Sequence, residues 1–512
     1  MIPRTMSTQH PDNAKLPNWA SSEVLEGEDE VEEAYFAYKK FGCQEVMWDA
    51  EGKDVDAHVI RKLLLRYPSY FKKHVLGKDI FLTYRLPNPR LEKTERKVLM
   101  ETLDHIPLSQ DVAYEFYGSG ATPPIFETIM PFTQYADDLI ATAKYYELAV
   151  AGKEEIKIYQ DLTVKDWLGE VKPETINIIP LFEDEQGLIN AGAIVEAYCN
   201  VIKPTYIRGF VGRSDPAMSY GLTAAVLLSK IAISSLNKTE KIIHIPVYPI
   251  IGIGSLPFRG GMNPDDYRLV LKEYPDVYTF TIQSAFKYDY EEGPAKEAIS
   301  DINSSKIGDR SEISGSDLAE LIQIIDKLSK EYKKEILGLS TIINKLSSIL
   351  PPRRARKPHT GLFGYGRKSG STTLPRAIVF TAALYSIGFP PEFLGLRAVS
   401  TLSGKQMELI LKYYVTLHDQ LRTAANFFSW DSYNTLKEEG VWGLKLPQNL
   451  IEAMSADLKQ AGELGIDLGP RDYYGMKHSL FSFMSIMSLN QGRNEEGRNH
   501  IMEAARVRKS LG

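Results

Sequence analysis

Two carboxylates, a set of arginines and one histidine carry the residue types from which phosphoryl and carboxylate chemistry is built. Glu183 follows the apolar run IIPLF and opens the segment EDEQG. A carboxylate placed there can ligate a hard divalent cation such as Mg²⁺, which takes a few oxygens and keeps several waters. Asp184 and Glu185 also precede a helical pattern, so a helix-capping acid is the alternative. Asp215, in IRGFVGRSDPAMSYG, stands before Pro216 at a helix start, the arrangement of an N-cap with proline at N1. The pair favours metal binding over capping, because strands that are consecutive in a barrel are neighbours and bring both carboxylates within reach of one cation.

Arg259 lies in PIIGIGSLPFRGGMNP, with two glycines before it and two after. Such a loop can approach a ligand closely, and a guanidinium offers a planar fork for phosphate or carboxylate. The spacing is neither GxGxxG nor GxxxxGK[ST], so a nucleotide-binding fold does not follow, and a wide turn with a surface arginine is the alternative. Further on, PPRRARKPHTGLFGYGRKSGSTTLPRAIVF carries Arg353, Arg354, Arg356, Lys357, Arg367, Lys368 and Arg376 among glycines. Its densest part is short and has no interleaved aromatics, so a mobile flap closing over a small polyanion fits better than a nucleic-acid patch. His10, in TMSTQHPDN, is a possible general acid or base, although a chain end is ordinarily frayed and tolerant of any residue. The acidic stretch EVLEGEDEVEE at Glu23–Glu33 reads as a solvated helix face rather than a metal site.

The elements that must position these groups are short β-branched runs separated by helical patterns. Strands are expected at 43–48, 79–84, 125–130, 176–182, 206–211, 242–250 and 277–282. Helices are expected at 135–149, 191–201, 220–235 and 265–273. Seven strands in βα alternation, with an eighth unresolved, indicate an α/β fold of the TIM-type (β/α)₈ class. Glu183, Asp215 and Arg259 would then lie on its carboxyl-end rim, where such barrels build their sites. After about residue 290 the pattern becomes mostly helical, beginning with the long periodic stretch 318–350. Residues 1–290 are thus expected to hold most of the barrel and the N-terminal site segment. Residues 291–512 are expected to form an α-rich region that includes the substrate-binding arginine segments at 353–376 and a helical C-terminal part, and the two regions to make one integrated unit.

Composition narrows the partners. In 512 residues, 60 Lys+Arg against 66 Asp+Glu leave a formal charge of −6, too mild for a general grip on nucleic acid or an anionic membrane. Two cysteines cannot build a disulfide framework and point to a reducing compartment. With no signal-like or membrane-length apolar run, a cytoplasmic protein is expected.

Taken in order, TMSTQHPDN, EVMWDAEGKDVD, PLFED, GRSDPAMSYG, PFRGGMNP, PPRRARKPHTG and LPRAIVFTAALYSIGFPPEFLG resemble the archaeal-type phosphoenolpyruvate carboxylases over essentially the whole chain. The resemblance implies carboxylation of phosphoenolpyruvate by bicarbonate to oxaloacetate and phosphate, through carboxyphosphate and a metal-stabilised enolate. It implies His10 as the histidine acting on carboxyphosphate, Glu183 and Asp215 as ligands of Mg²⁺ or Mn²⁺, and Arg259, Arg353 and Arg376 as the arginines contacting substrate, with Arg354 one register from Arg353. It further implies no nucleotide, no biotin and a homotetramer, with the helical half as the interface.

Two departures from the longer enzymes stand out. IIGIG replaces an HGRGG stretch, and Met218 stands where those enzymes have a lysine. Arg213, Arg367 and Lys368 are the candidates to supply the missing charge. The Gly-rich segments 252–261 and 361–373 are expected to act as lids that keep water from the enolate. The competing readings are another phosphoenolpyruvate or pyruvate barrel enzyme sharing the Glu/Asp pair, and a nucleic-acid-binding or scaffold protein using the 353–357 basic run.

Overall fold

A computed structural model describes residues 1–50, 56–93, 96–354, 367–369 and 372–512, the backbone alone at 367–369 and 372–373. In chain order its strands are β1 (Thr5–Ser7), β2 (Glu45–Asp49), β3 (Phe81–Arg85), β4 (Glu127–Met130), β5 (Lys157–Tyr159), β6 (Leu162–Thr163), β7 (Asn177–Phe182), β8 (Ile207–Gly212), β9 (Val247–Gly252), β10 (Thr279–Ile282), β11 (Arg367–Ser369) and β12 (Thr372–Leu374). Eight of them close a barrel in the order β1, β10, β9, β8, β7, β4, β3, β2, and every neighbouring pair is parallel. The two antiparallel pairs, β5–β6 and β11–β12, lie outside it.

The eighth strand is β1, three residues that pair with β10 on one side and β2 on the other. Its polar sequence, TMS, carries no apolar alternation, which is why periodicity does not reveal it. The expected strand at 242–250 begins only at Val247. The helix Leu222–Ile243 runs through its first residues and stops at His244, whose left-handed φ of 56° ends the helix.

Strand alternation divides the barrel interior into layers. At the amino end, buried Arg208 donates to Glu45 at 2.8 and 2.7 Å and to Glu127 at 3.1 Å, while Thr83 donates to Glu45 at 2.5 Å. Above this polar floor Met6, Met47, Ile129, Ile179, Leu181, Phe210 and Ile250 form a separate apolar cluster. One pleat further, the inward positions turn polar again, and that upper layer is the carboxyl-end rim.

The additional helices buttress this rim. Gly315–Ser347 starts at Ser314, whose side chain accepts from the Asp317 amide, and buries Leu321, Ile325, Leu328, Tyr332 and Leu339 against Leu222–Ile243 and Ala377–Ser386. Tyr332 donates to the Met218 carbonyl at 2.9 Å. Gly395 has φ +74°, and a Cβ there would lie 2.8 Å from the Tyr332 backbone, so only glycine lets the two segments meet. No single helix among the described residues is long and apolar enough to cross a membrane.

Candidate active site

The rim is built from the last inward residue of each strand or the residue just beyond it. Asp49 ends β2 and Arg85 ends β3; they are register partners and form a buried bidentate pair at 2.9 and 2.7 Å. The Gln9 side chain accepts from the Asp49 amide at 3.0 Å, tying the loop after β1 to this pair. Glu183 follows β7 in the same alternation as Ile179 and Leu181, and the Phe132 amide donates to it at 3.2 Å. The helix-capping role falls to its neighbour Asp184, which accepts from the Gly187 amide at 2.7 Å. On the adjacent β8, Gly212 makes room: a Cβ there would sit 3.0 Å from Glu183 Cγ. Asp215 lies three residues on, in the first turn of the helix Ser214–Tyr220. It is not the cap, because that position belongs to Arg213. Glu183, just past β7, and Asp215, in the helix that follows the paired strand β8, are hard oxygen donors of the kind Mg²⁺ or Mn²⁺ takes.

The loop after β9 is buried and cross-braced. Arg259 closes the turn Pro257–Arg259 and is 1% exposed; it donates to Asp12 at 3.2 Å, to Gln283 at 2.5 Å and to the Gly512 carbonyl at 2.6 Å. Burial pulls its pKa down, while Asp12 and Asp215 oppose that shift. Arg213 spends its fork on the carbonyls of Phe258 and Pro257. On the amide side, Glu392 accepts from Phe258 N–H at 2.7 Å and from the Tyr385 hydroxyl at 2.6 Å. Burial pushes the Glu392 carboxyl up to about 7. Hydrogen bonds from both sides hold the 252–261 segment, expected as a lid, as a cradle around Arg259. Arg213, a candidate for the charge absent at Met218, is thus held against this loop.

The N-terminal segment is equally bound in place. His10 Nδ1 meets Thr8 Oγ1 at 2.9 Å, and the His10 carbonyl accepts from the Asp12 amide at 3.0 Å and the Ser284 amide at 3.3 Å. Asp12, fully buried, accepts from the Ala285 amide at 2.7 Å and holds Arg259. Asp289 receives the amides of Ala14 and Lys15, both at 2.6 Å, although burial pushes its carboxyl up to about 7. A frayed tail is thus excluded, and His10 and Arg259 are linked through Asp12.

Arg353 and Arg354 part company. Arg353, at a left-handed φ of 58°, donates to the Ala14 carbonyl at 2.8 Å, turning toward the His10 loop. Arg354 is fully buried and clamped by Glu30 at 2.8 Å and Glu33 at 2.6 Å. That clamp corrects the reading of Glu23–Glu33 as a solvated face: the helix Glu28–Lys39 turns Glu30 and Glu33 inward, where Tyr288 and Lys287 also reach Glu33. Arg376, half-buried, precedes the helix Ala377–Ser386, which packs against the helix of Asp215. Arg356, Lys357, the 361–366 part of the proposed flap and the side chains of Arg367 and Lys368 lie outside the described residues.

Comparison with known proteins decides the family. A family model described as phosphoenolpyruvate carboxylase matches residues 2–512. The chain belongs to the phosphoenolpyruvate carboxylase family. It is 46% identical over 511 residues to a phosphoenolpyruvate carboxylase of Metallosphaera sedula, covering 100% of this chain and 99% of that one. The corresponding protein of Caldivirga maquilingensis is 44% identical over 515 residues, with both chains covered in full, and that of Picrophilus torridus 45% over 518 residues, covering 100% and 99%.

Motif reading of this carboxylase-family chain overlooked Asp12, Asp49, Arg85, Gln283 and Glu392. Asp49 and Arg85 were within reach, since extending the expected strands at 43–48 and 79–84 by one residue puts both on the inward side. Asp12 sits two residues past His10 in the same motif. Gln283 and Glu392 carry no local signal, because only the folded chain brings them to the Arg259 loop.

Proposed function

We propose that the barrel rim carboxylates phosphoenolpyruvate with bicarbonate, giving oxaloacetate and inorganic phosphate. Family membership over the whole chain supports the reaction, and one observation carries its assignment to this rim: Asp12 joins the His10 loop to the Arg259 cradle at the carboxyl ends of the barrel strands. Glu183 and Asp215 would hold Mg²⁺ or Mn²⁺; when bound, the cation supplies Lewis-acid stabilisation of the enolate oxygen.

Arg259, Arg353 and Arg376 would bind the phosphoryl and carboxylate groups, with Arg85 a further cation on the same rim. Their fixed geometry holds bicarbonate in line with the phosphoryl group. Attack gives carboxyphosphate and the enolate of pyruvate. His10, oriented by Thr8, takes the carboxyphosphate proton, so that CO₂ and phosphate separate beside the enolate and the carbon–carbon bond forms. The buried cradle keeps water from protonating the enolate to pyruvate.

The reading extends to a homotetramer in the cytoplasm, with no nucleotide, biotin or nucleic acid as partner, and to residues 1–290 and 291–512 acting as one unit. The test is a coupled assay for oxaloacetate with phosphoenolpyruvate, bicarbonate and Mg²⁺ omitted in turn, and with nucleotide added. Loss of product on each omission, and indifference to nucleotide, are expected. Pyruvate formed in place of oxaloacetate, with a nucleoside diphosphate required and bicarbonate not, would instead assign a kinase-type reaction on phosphoenolpyruvate.

A further inference from the structure

Arg508 is 4% exposed, and its hydrogen-bond acceptors are neutral. It ends the helix Asn494–Val507, which packs along the helix Tyr473–Asn490. One terminal nitrogen lies 3.2 Å from His478 Nε2, the other donates to the Leu511 carbonyl at 2.5 Å, and the guanidinium lies 5.6 Å from the centre of the Tyr385 ring. Because a guanidinium can only donate, His478 Nε2 is the unprotonated nitrogen and accepts. Burial and the Arg508 charge pull the His478 pKa well below its usual value, which keeps that ring neutral. Burial also pulls Arg508 down to about 9, with Tyr385 and Asp289 opposing the shift. A cation buried against neutral acceptors lacks the Coulombic attraction of a carboxylate pair, so its placement adds little to stability.

What the placement does is visible in the next four residues. Lys509 takes a left-handed φ of 55°, the Lys509 amide donates to the Arg506 carbonyl at 3.3 Å and the Ser510 amide to the Ala505 carbonyl at 3.1 Å, a Schellman ending that turns the chain sharply out of the helix. The turn brings buried Ser510 and Leu511 to the His10 loop. There the Leu511 amide donates to the Asp12 carbonyl at 2.7 Å, the Ser510 hydroxyl donates to the same carbonyl at 3.1 Å, and the Gly512 carbonyl accepts from Arg259 at 2.6 Å. Asp12 in turn donates its amide to the His10 carbonyl and holds Arg259 with its carboxylate. On its other side Arg508 packs on the ring of Tyr385, whose hydroxyl donates to the Glu392 carboxyl that holds the Phe258 amide. Arg508 thus touches one group behind the His10 loop, Leu511, and one behind the Arg259 cradle, Tyr385.

We propose that Arg508 is a positioning residue for the carboxylation, one that sets the His10 loop against the Arg259 cradle through residues 510–512. This role rests on the catalytic reading of the rim. The loop and the cradle must be aligned when carboxyphosphate gives CO₂ and phosphate beside the enolate. If the loop shifts, carboxyphosphate still breaks down, but water protonates the enolate carbon. Pyruvate and phosphate are then released, and the CO₂ and hydroxide left over recombine to bicarbonate. A displacement of about 1 Å can cost a rate on the order of a hundredfold, and carbon–carbon bond formation is the step that needs both parts in place with water excluded.

The test compares phosphate, oxaloacetate and pyruvate released by the full chain as wild type, Arg508→Met and Arg508→Lys, with oxaloacetate captured by a coupled reductase as it forms. Wild type is expected to release phosphate and oxaloacetate in equal amounts. Arg508→Met should release about two or more phosphates per oxaloacetate, the excess appearing as pyruvate. Arg508→Lys, which keeps a cation and a donor for the Leu511 carbonyl, should fall between the two. The ratio separates positioning from fold stability, because an unfolded fraction lowers every product together. A folded Arg508→Met that keeps the wild-type ratio, at any total rate, overturns the proposal. If that variant loses its far-UV circular dichroism spectrum, Ser510→Ala, which removes one donor to the Asp12 carbonyl, is read by the same ratio. A wild type that makes no oxaloacetate would overturn the catalytic reading and this role with it, whereas a productive wild type beside a variant of unchanged ratio overturns this role alone.

Discussion

Glu392 is a buried acid at the centre of the Arg259 cradle, and replacing it by glutamine makes a pH-dependent prediction. Its oxygen accepts from Phe258 N–H at 2.7 Å and from the Tyr385 hydroxyl at 2.6 Å, and a glutamine carbonyl can keep both bonds. Burial raises the carboxyl from an ordinary 4.5 to about 7. The folded state therefore holds this proton more tightly than the unfolded state does. The stability associated with it is fully present below the unfolded value and is lost as pH rises through about 7. At about 1.4 kcal/mol per unit, the full shift is worth about 3 kcal/mol, of which about 2.5 kcal/mol falls between pH 5 and pH 8. For a chain of 512 residues unfolding as one unit, an entropy of about 1.1 kcal/mol/K converts this to about 2 °C in Tm. Differential scanning fluorimetry of wild type and Glu392→Gln across that range should show the variant gaining about 2 °C relative to wild type as pH rises. The buried acids Asp289 and Asp457, also raised to about 7, cancel in the difference because both proteins contain them. A Tm difference that is the same at pH 5 and pH 8 would mean that Glu392 titrates like an exposed glutamate, and would refute the reasoning.

Asp215→Asn should raise the concentration of Mg²⁺ needed for half-maximal oxaloacetate formation tenfold or more, about 1.4 kcal/mol of binding; an unchanged metal dependence would leave Asp215 as a helix-first-turn acid only. Gly212→Ala should act in the same direction without touching a ligand, because its Cβ would press on Glu183 Cγ at 3.0 Å, and metal titration with a thermal scan separates that displacement from unfolding. Arg354→Met should cost about 3–5 kcal/mol by removing the buried cation that Glu30 and Glu33 share, with Lys287 still beside Glu33. Denaturant or thermal unfolding measures it, and a near-neutral result would mean that the clamp is dispensable.

Most of the barrel could be read from the sequence because seven of its strands are four to six residues long, each with at least two apolar residues, between helical patterns. The eighth could not, since Thr5–Ser7 owes its place to two neighbouring strands rather than to its own composition. Glu183, Asp215 and Arg259 were visible because strand ends and glycine-rich turns mark a rim. The partners that fix Arg259 were not, since Asp12 and Gln283 come from opposite ends of the barrel order in sequence. The same limit explains the acidic helix: Glu30 and Glu33 look like solvated charges until Arg354, over 300 residues later, arrives between them. Glycine content likewise suggested a lid at 252–261 but gave no sign of Arg213 and Glu392, which hold that backbone from its carbonyl and amide sides.

The central claim is that His10 acts after the phosphoryl group has moved, on the carboxyphosphate that the arginines and the cation help to form. Parallel measurement of inorganic phosphate and oxaloacetate released by His10→Asn tests it most directly. Wild type should release the two in equal amounts. The variant is expected to go on releasing phosphate while oxaloacetate falls far below it. Oxaloacetate formed at the wild-type rate, and in step with phosphate, would remove His10 from the mechanism and contradict the account.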